Sequence, residues 1–170
     1  MRLKSLLGAD ARKLVQKAVY FELFASHLYR QIAACMQSAG FFGVQKWFEQ
    51  EAADELVHFG IWRDYLNDRS DMAEIPQLPL IKERPETLGD ALQLAFKTEK
   101  DLGDFYADMY DRLEDDIRDI TTATRVLKFI EIQTESIGEY GDYLARLERC
   151  AGDAAAILAL DQFIGDKANG

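Results

Sequence analysis

The sequence predicts an all-α protein: a four-helix bundle with one long crossover between helices two and three, and a short C-terminal fifth helix. Three observations predict it. Four long segments carry apolar residues at the 3.6-residue period of a helix, without internal proline. All three prolines fall between Pro76 and Pro85, in the stretch "RSDMAEIPQLPLIKERPE". The connections on either side of that stretch are short. Short connections join antiparallel neighbours, and a long one traverses the bundle.

The first segment runs from about Ala9 to Ser38, where "QSAGFFG" breaks it with Gly40 and Gly43. The second runs from about Val44 to Asp68. The proline-bearing stretch is too long for a tight turn and reads as an extended crossover. Helix three starts near Thr87 and continues to about Glu114. A short acidic turn, "EDDIRD", leads into helix four, which ends near Cys150. "AGDAAAILALDQFIGDK" forms the fifth helix. No internal repeat is visible, although the two hairpins have the form of distant duplicates.

At 170 residues the chain is long enough for one domain, spanning 1–170, with a proper core. A hydrophobic share of 48% and a charged share of 29% are those of a soluble globular protein. The net charge of −10 argues against a nucleic-acid partner and suits attraction of cations. No stretch reaches the ~20 apolar residues of a membrane span. The opening "MRLKSLLGADARKL" has too short an apolar core for a secretory signal and reads as helix-like. Cys35 and Cys150, only two and far apart, read as reduced thiols of a cytoplasmic protein.

Each apolar stripe is interrupted near its middle. Helix one reads Val15, Ala18, Glu22, Ala25, Tyr29, Ile32, Met36. Helix two reads Trp47, Glu51, Glu55, His58, Trp62, Tyr65. Helix three reads Leu92, Ala95, Glu99, Leu102, Tyr106, Met109, Leu113. Helix four reads Val126, Ile130, Gln133, Ile137, Tyr140, Leu144, Leu147. A single glutamate on such a stripe usually sits at its edge and reaches water, and a single buried histidine or glutamine usually satisfies a neighbour. One interruption in each of four helices, at similar depth, reverses that reading. Glu55 and His58, three apart, leave the same helix face.

The inserted set is three carboxylates, one imidazole and one amide. Three buried negative charges cannot share a dry site without a cation, because they would repel one another and protonate. Oxygen-rich ligands with one histidine suit iron first and manganese next, whereas zinc wants more nitrogen or sulfur. Three carboxylates supply about enough oxygen for two divalent ions. Glu51, one turn before Glu55, is a candidate outer acid. His27, beside the helix-one stripe, reads as structural, and Glu131 and Glu135 as facing away from the core.

At these residues the sequence resembles the non-haem ferritins of the ferritin-like di-iron superfamily. "FELFASHLY" is similar to the family's first-helix segment, with Glu22 as ligand and Tyr29 as the tyrosine near the metals. "DELVH" fits the Glu-x-x-His of helix two, "ALQLAFKTEKDL" fits helix three with Glu99, and "IQTESIGEYGDYLARL" fits helix four with Gln133. The second Glu-x-x-His of bacterioferritins and rubrerythrins is missing from "EIQTES". The haem-ligand methionine of bacterioferritins would fall at Leu56, so no haem is expected. A third iron site, common in bacterial relatives, would have to be rebuilt from Asp54, Glu135 and Glu51.

The resemblance implies an iron-storage subunit with ferroxidase activity. It would oxidise Fe²⁺ with O₂ or H₂O₂ at a di-iron centre of two Fe per subunit. Glu22 and His58 would hold the first iron, Glu55 would bridge, Glu99 would hold the second, and Gln133 would act as a weak ligand or hydrogen-bond partner. It also implies a homo-oligomer, a hollow 24-subunit cage, with the fifth helix at its four-fold axis. Acids near the start of helix four, Asp115, Asp116 and Asp119, are candidates for an iron entry pore. The alternative is a di-iron or di-manganese oxidase or oxygenase of an organic substrate without storage.

Overall fold

The computed structural model describes residues 4–168. Among them are five α-helices: α1 (Ala9–Ala39), α2 (Phe42–Asp68), α3 (Leu88–Asp111), α4 (Ile120–Arg149) and α5 (Ala154–Lys167). α1 packs on α2, α3 packs on α4, and α5 lies against α2. An extended segment joins α2 to α3. This is the predicted bundle, and its boundaries fall within a few residues of those expected. Residues 1–3, part of the opening predicted as helix-like, lie outside the described residues, as do 169 and 170. The next five residues are not helical, and α1 starts only after the extended Gly8.

The termini follow from local chemistry. Gly40 ends α1 in the left-handed region at φ 85°, a conformation that costs a glycine little. The Phe41 N–H then reaches back to the Met36 carbonyl at 2.9 Å. Thr87 and Asp90 form a reciprocal capping box at the start of α3. Asp119 caps α4 through the Thr122 N–H, and Asp153 caps α5 through the Ala156 N–H.

α2 has no cap of its own. Its free N–H groups are taken by Asp161 of α5, which accepts from Gly43 N at 3.1 Å and Val44 N at 2.7 Å. Gly43, expected to help break the chain, instead stands in the first turn of α2. A Cβ there would lie 2.0 Å from the Asp161 carbonyl oxygen, and one on Gly165 would lie 2.5 Å from Gly43 Cα. The two glycines let α5 sit directly on the α2 backbone.

The turn between α3 and α4 also differs from expectation. α3 ends at Asp111, and Arg112–Ile117 form a π-helical turn closed by Arg118 at φ 59°. The wider turn keeps Leu113 fully buried while the neighbouring acids Glu114, Asp115 and Asp116 stay in solvent. The crossover leans on α1 through Arg12, which pairs with Asp71 at 3.1 Å and Glu74 at 3.0 Å.

The predicted stripes of α1 and α3 are wholly buried. On α4 the buried face is rotated from the predicted one. Phe129 and Tyr143 are buried, and Ile130, Ile137, Leu144 and Leu147 are half-buried. Aromatic packing explains the rotation: Phe129 stacks on Trp62 at 4.7 Å and Tyr143 meets Trp47 edge-on at 5.5 Å. Cys35 and Cys150 are both free. No helix among the described residues is long and apolar enough to cross a membrane.

Candidate metal centre

Each helix of the bundle delivers at least one interruption of its stripe to the interior, and α2 delivers two. Glu22 and Glu99 are fully buried, Glu55 and Gln133 nearly so, and His58 is half-buried. Burying three carboxylates side by side costs several kcal/mol unless protons, donors or cations compensate.

Glu22, Glu55 and His58 converge so that one ligand atom of each lies within 4.8 Å of the others. His58 presents Nδ1, which lies 3.2 Å from Glu55 Oε2 and 3.8 Å from Glu22 Oε2. No other group of three His, Cys, Asp or Glu among the described residues meets in this way. Glu99 is engaged elsewhere. It accepts a hydrogen bond from the Tyr29 hydroxyl. In the amide orientation that satisfies both of its ends, Gln133 donates to Glu99 Oε2 at 2.6 Å.

Burial and mutual repulsion hold these acids toward their protonated forms. Burial, reinforced by the Glu55 charge, pushes the Glu22 carboxyl well above the usual range. Burial likewise pushes Glu55 and Glu99 up to about 8, for Glu99 against the hydrogen bonds from Tyr29 and Gln133 that favour its ionised form. Glu22 Oε1 accepts from the Tyr106 hydroxyl, but Glu22 Oε2 is buried with no hydrogen-bond partner. An orphaned carboxylate oxygen costs about 1–3 kcal/mol or more. It faces Glu55 and the His58 ring nitrogen, so the residues present fit a cation. The donor set, oxygen-rich with one imidazole, suits iron or manganese better than zinc.

The remaining predicted residues separate from this set. Glu51 does not turn to the trio. It accepts from the Tyr140 hydroxyl at 2.9 Å. Asp54 and Glu135 are exposed, as are Glu131 and His27.

Two tyrosines of the site were not singled out by the pattern. Tyr106 bonds Glu22, and Tyr140 bonds Glu51. Both were visible only as stripe residues. A signal for Tyr106 existed, because it follows Glu99 at the spacing by which Tyr29 follows Glu22.

The profile of the Ferritin family, described as a ferritin-like domain, matches residues 12–150. A bacterial non-heme ferritin of Staphylococcus haemolyticus is 24% identical over 92% of this chain and 94% of its own length. A probable bacterial non-heme ferritin-like protein of Haemophilus influenzae is 21% identical over 95% of this chain and 97% of its own. An open pore ferritin from Archaeoglobus fulgidus superposes with a TM-score of 0.89 at 16% identity, covering 94% of this chain and 97% of that one. That likeness shows the fold. Over most of its length the chain fits this family, and it belongs to the ferritin family.

Proposed function

We propose that this protein is an iron-storage ferritin subunit with ferroxidase activity, built as one ferritin-like domain. Fe²⁺ and O₂ or H₂O₂ are its substrates, and ferric oxide inside a hollow shell is its product. The observation that carries the reading is the convergence of Glu22, Glu55 and His58, with Glu22 Oε2 left without a partner.

In this reading Glu22 and His58 hold one Fe²⁺, Glu55 reaches both ions, and Glu99 holds the second with Gln133 steering its Oε2. Carboxylates stabilise Fe³⁺ over Fe²⁺, which favours passing electrons to the oxidant. Tyr29 and Tyr106 fix the rotamers of Glu99 and Glu22. The protons held by the buried acids leave as the cations enter.

Exposed apolar residues support assembly. Leu158 on α5 and Ile75 and Leu80 on the crossover are more than half exposed, and a free monomer would leave them wet. We assign them to contacts within a 24-subunit cage of a cytoplasmic protein.

The test is stopped-flow absorbance on mixing apo protein with Fe²⁺ in air. The wild type should form a ferric signal that Glu55→Ala and His58→Ala form about a hundredfold more slowly. Variants as fast as the wild type would overturn the assignment. A light-scattering mass of a monomer or dimer would overturn the cage. Normal oxidation with no mineral core would favour an oxidase or oxygenase instead.

A further inference from the structure

Trp47, Tyr140 and Glu51 form a polar chain that the reaction above does not use. Trp47 Nε1 donates to the Tyr140 hydroxyl at 3.1 Å, and that hydroxyl donates to Glu51 Oε2 at 2.9 Å. Tyr140 is 1% exposed. Its ring stacks on Phe48, with centroids 6.1 Å apart and planes at 11°. Phe48 in turn lies 5.6 Å from the ring of Tyr29, whose hydroxyl bonds Glu99. An unbroken run of aromatic rings therefore links the acids of the metal centre to Tyr140.

A phenol loses an electron readily only when its proton can leave at the same time, so a redox-active tyrosine needs a base in hydrogen-bond contact. Tyr29 and Tyr106 also touch carboxylates, but those carboxylates are the proposed iron ligands and their lone pairs are committed. Glu51 has no such duty. The Trp47 N–H remains bonded to the phenolic oxygen after its proton has gone and keeps the ring in place.

We propose that Tyr140 is a redox-active residue that supplies one electron when hydrogen peroxide meets a centre holding a single Fe²⁺, with Glu51 receiving its proton. The inference rests on the iron-oxidising reading above. A lone Fe²⁺ gives peroxide only one electron. The O–O bond breaks, one oxygen leaves as hydroxide, and the other departs as hydroxyl radical unless a second electron arrives. Tyr140 provides it through Phe48 and Tyr29. Its O–H bond breaks and the proton moves to Glu51 Oε2. Peroxide, one Fe²⁺, the phenol, the Glu51 carboxylate and two solvent protons become two waters, one Fe³⁺, a tyrosyl radical and a carboxylic acid. A later Fe²⁺ reduces the radical, Glu51 returns the proton, and a second Fe³⁺ forms.

The experiment loads the assembled apo protein anaerobically with less than one Fe²⁺ per subunit. Hydrogen peroxide is added, and samples are freeze-quenched for electron paramagnetic resonance. A spin trap reports hydroxyl radical in parallel, and absorbance reports ferric iron. We expect a tyrosyl signal in the wild type that falls about tenfold in Tyr140→Phe and in Glu51→Gln, while trapped hydroxyl radical rises. Tyr143→Phe, on the same helix, should keep the signal within about twofold. Circular dichroism confirms that each variant is folded, and Glu51→Gln retains an acceptor for the phenol. Iron oxidation with no tyrosyl signal would overturn this inference alone. So would a signal unchanged in Tyr140→Phe, unchanged in Glu51→Gln, or equally lost in Tyr143→Phe. Absence of iron oxidation in the wild type would instead overturn the proposed function.

Discussion

Tyr106 on α3 hydrogen-bonds Glu22 on α1, and Tyr29 on α1 returns the bond to Glu99 on α3. Each tyrosine stands two helical turns beyond the glutamate of its own helix and serves the glutamate of the other. Trp62 Nε1 backs the first bond by donating to the Tyr106 hydroxyl at 2.9 Å. The exchange ties the two hairpins together across the bundle at the level of the metal centre.

Removing one side of this exchange tests it. In Tyr106→Phe, Glu22 loses its donor and the buried Trp62 N–H loses its acceptor. We predict a loss of about 1–3 kcal/mol in urea unfolding of the apo protein. Iron oxidation should slow about tenfold, because Glu22 no longer holds one rotamer. Equal stability and equal rate in the variant would show that the bond does not position Glu22.

The pH dependence of stability follows from the raised acids. Burial lifts Glu55 and Glu99 to about 8, above their ordinary value of 4.5. A carboxyl raised on folding binds more protons in the native state than in the unfolded state. Its stabilising contribution is complete below the unfolded value and is lost as pH rises through the folded one. We predict that apo Tm falls between about pH 5 and pH 8 and that Fe²⁺, bound anaerobically, reverses the fall. An apo Tm that rises steadily across this window would contradict the burial of these acids as a group.

The same acids should trade stability for function. Glu55→Gln removes a buried ionisable group while keeping its shape. At pH 8 the apo variant should be more stable than wild type by about 1–2 kcal/mol, and its affinity for Fe²⁺ should fall at least about tenfold. Calorimetry reads the first and anaerobic titration the second. A destabilised apo variant would mean that Glu55 serves packing rather than a cation.

The placement of α5 depends on Asp161 and two glycines. Asp161→Ala removes the acceptor for the Gly43 and Val44 N–H groups. We predict a cost of about 1–2 kcal/mol. Gly165→Ala should be worse, because its Cβ would meet the Gly43 backbone at 2.5 Å. Both variants should weaken assembly, read as a smaller mass by light scattering, if α5 forms subunit contacts. Full-size assembly in Gly165→Ala would show that α5 can shift without consequence.

The sequence by itself determined the helices, their pairing into hairpins, and five of the polar residues that turn inward, while the buried Ser26, Thr122 and Asp161 carried no such mark. Those properties are local: a period of 3.6 marks the buried face of one helix, and proline and glycine mark where it stops. Glu22, Glu55, His58, Glu99 and Gln133 were all legible in this way. Tertiary structure decided who meets whom. Glu51 shares the stripe of Glu55, yet it bonds Tyr140 of α4 rather than joining His58. Glu99 closes on Tyr29 and Gln133 instead of the trio. The face of α4 turned toward Phe129 and Tyr143 because the indoles of α2 needed partners. The cap of α2 comes from Asp161, far along the chain. Partnership across helices depends on the rotation and axial offset of two packed elements, and the pattern along either one carries no record of it.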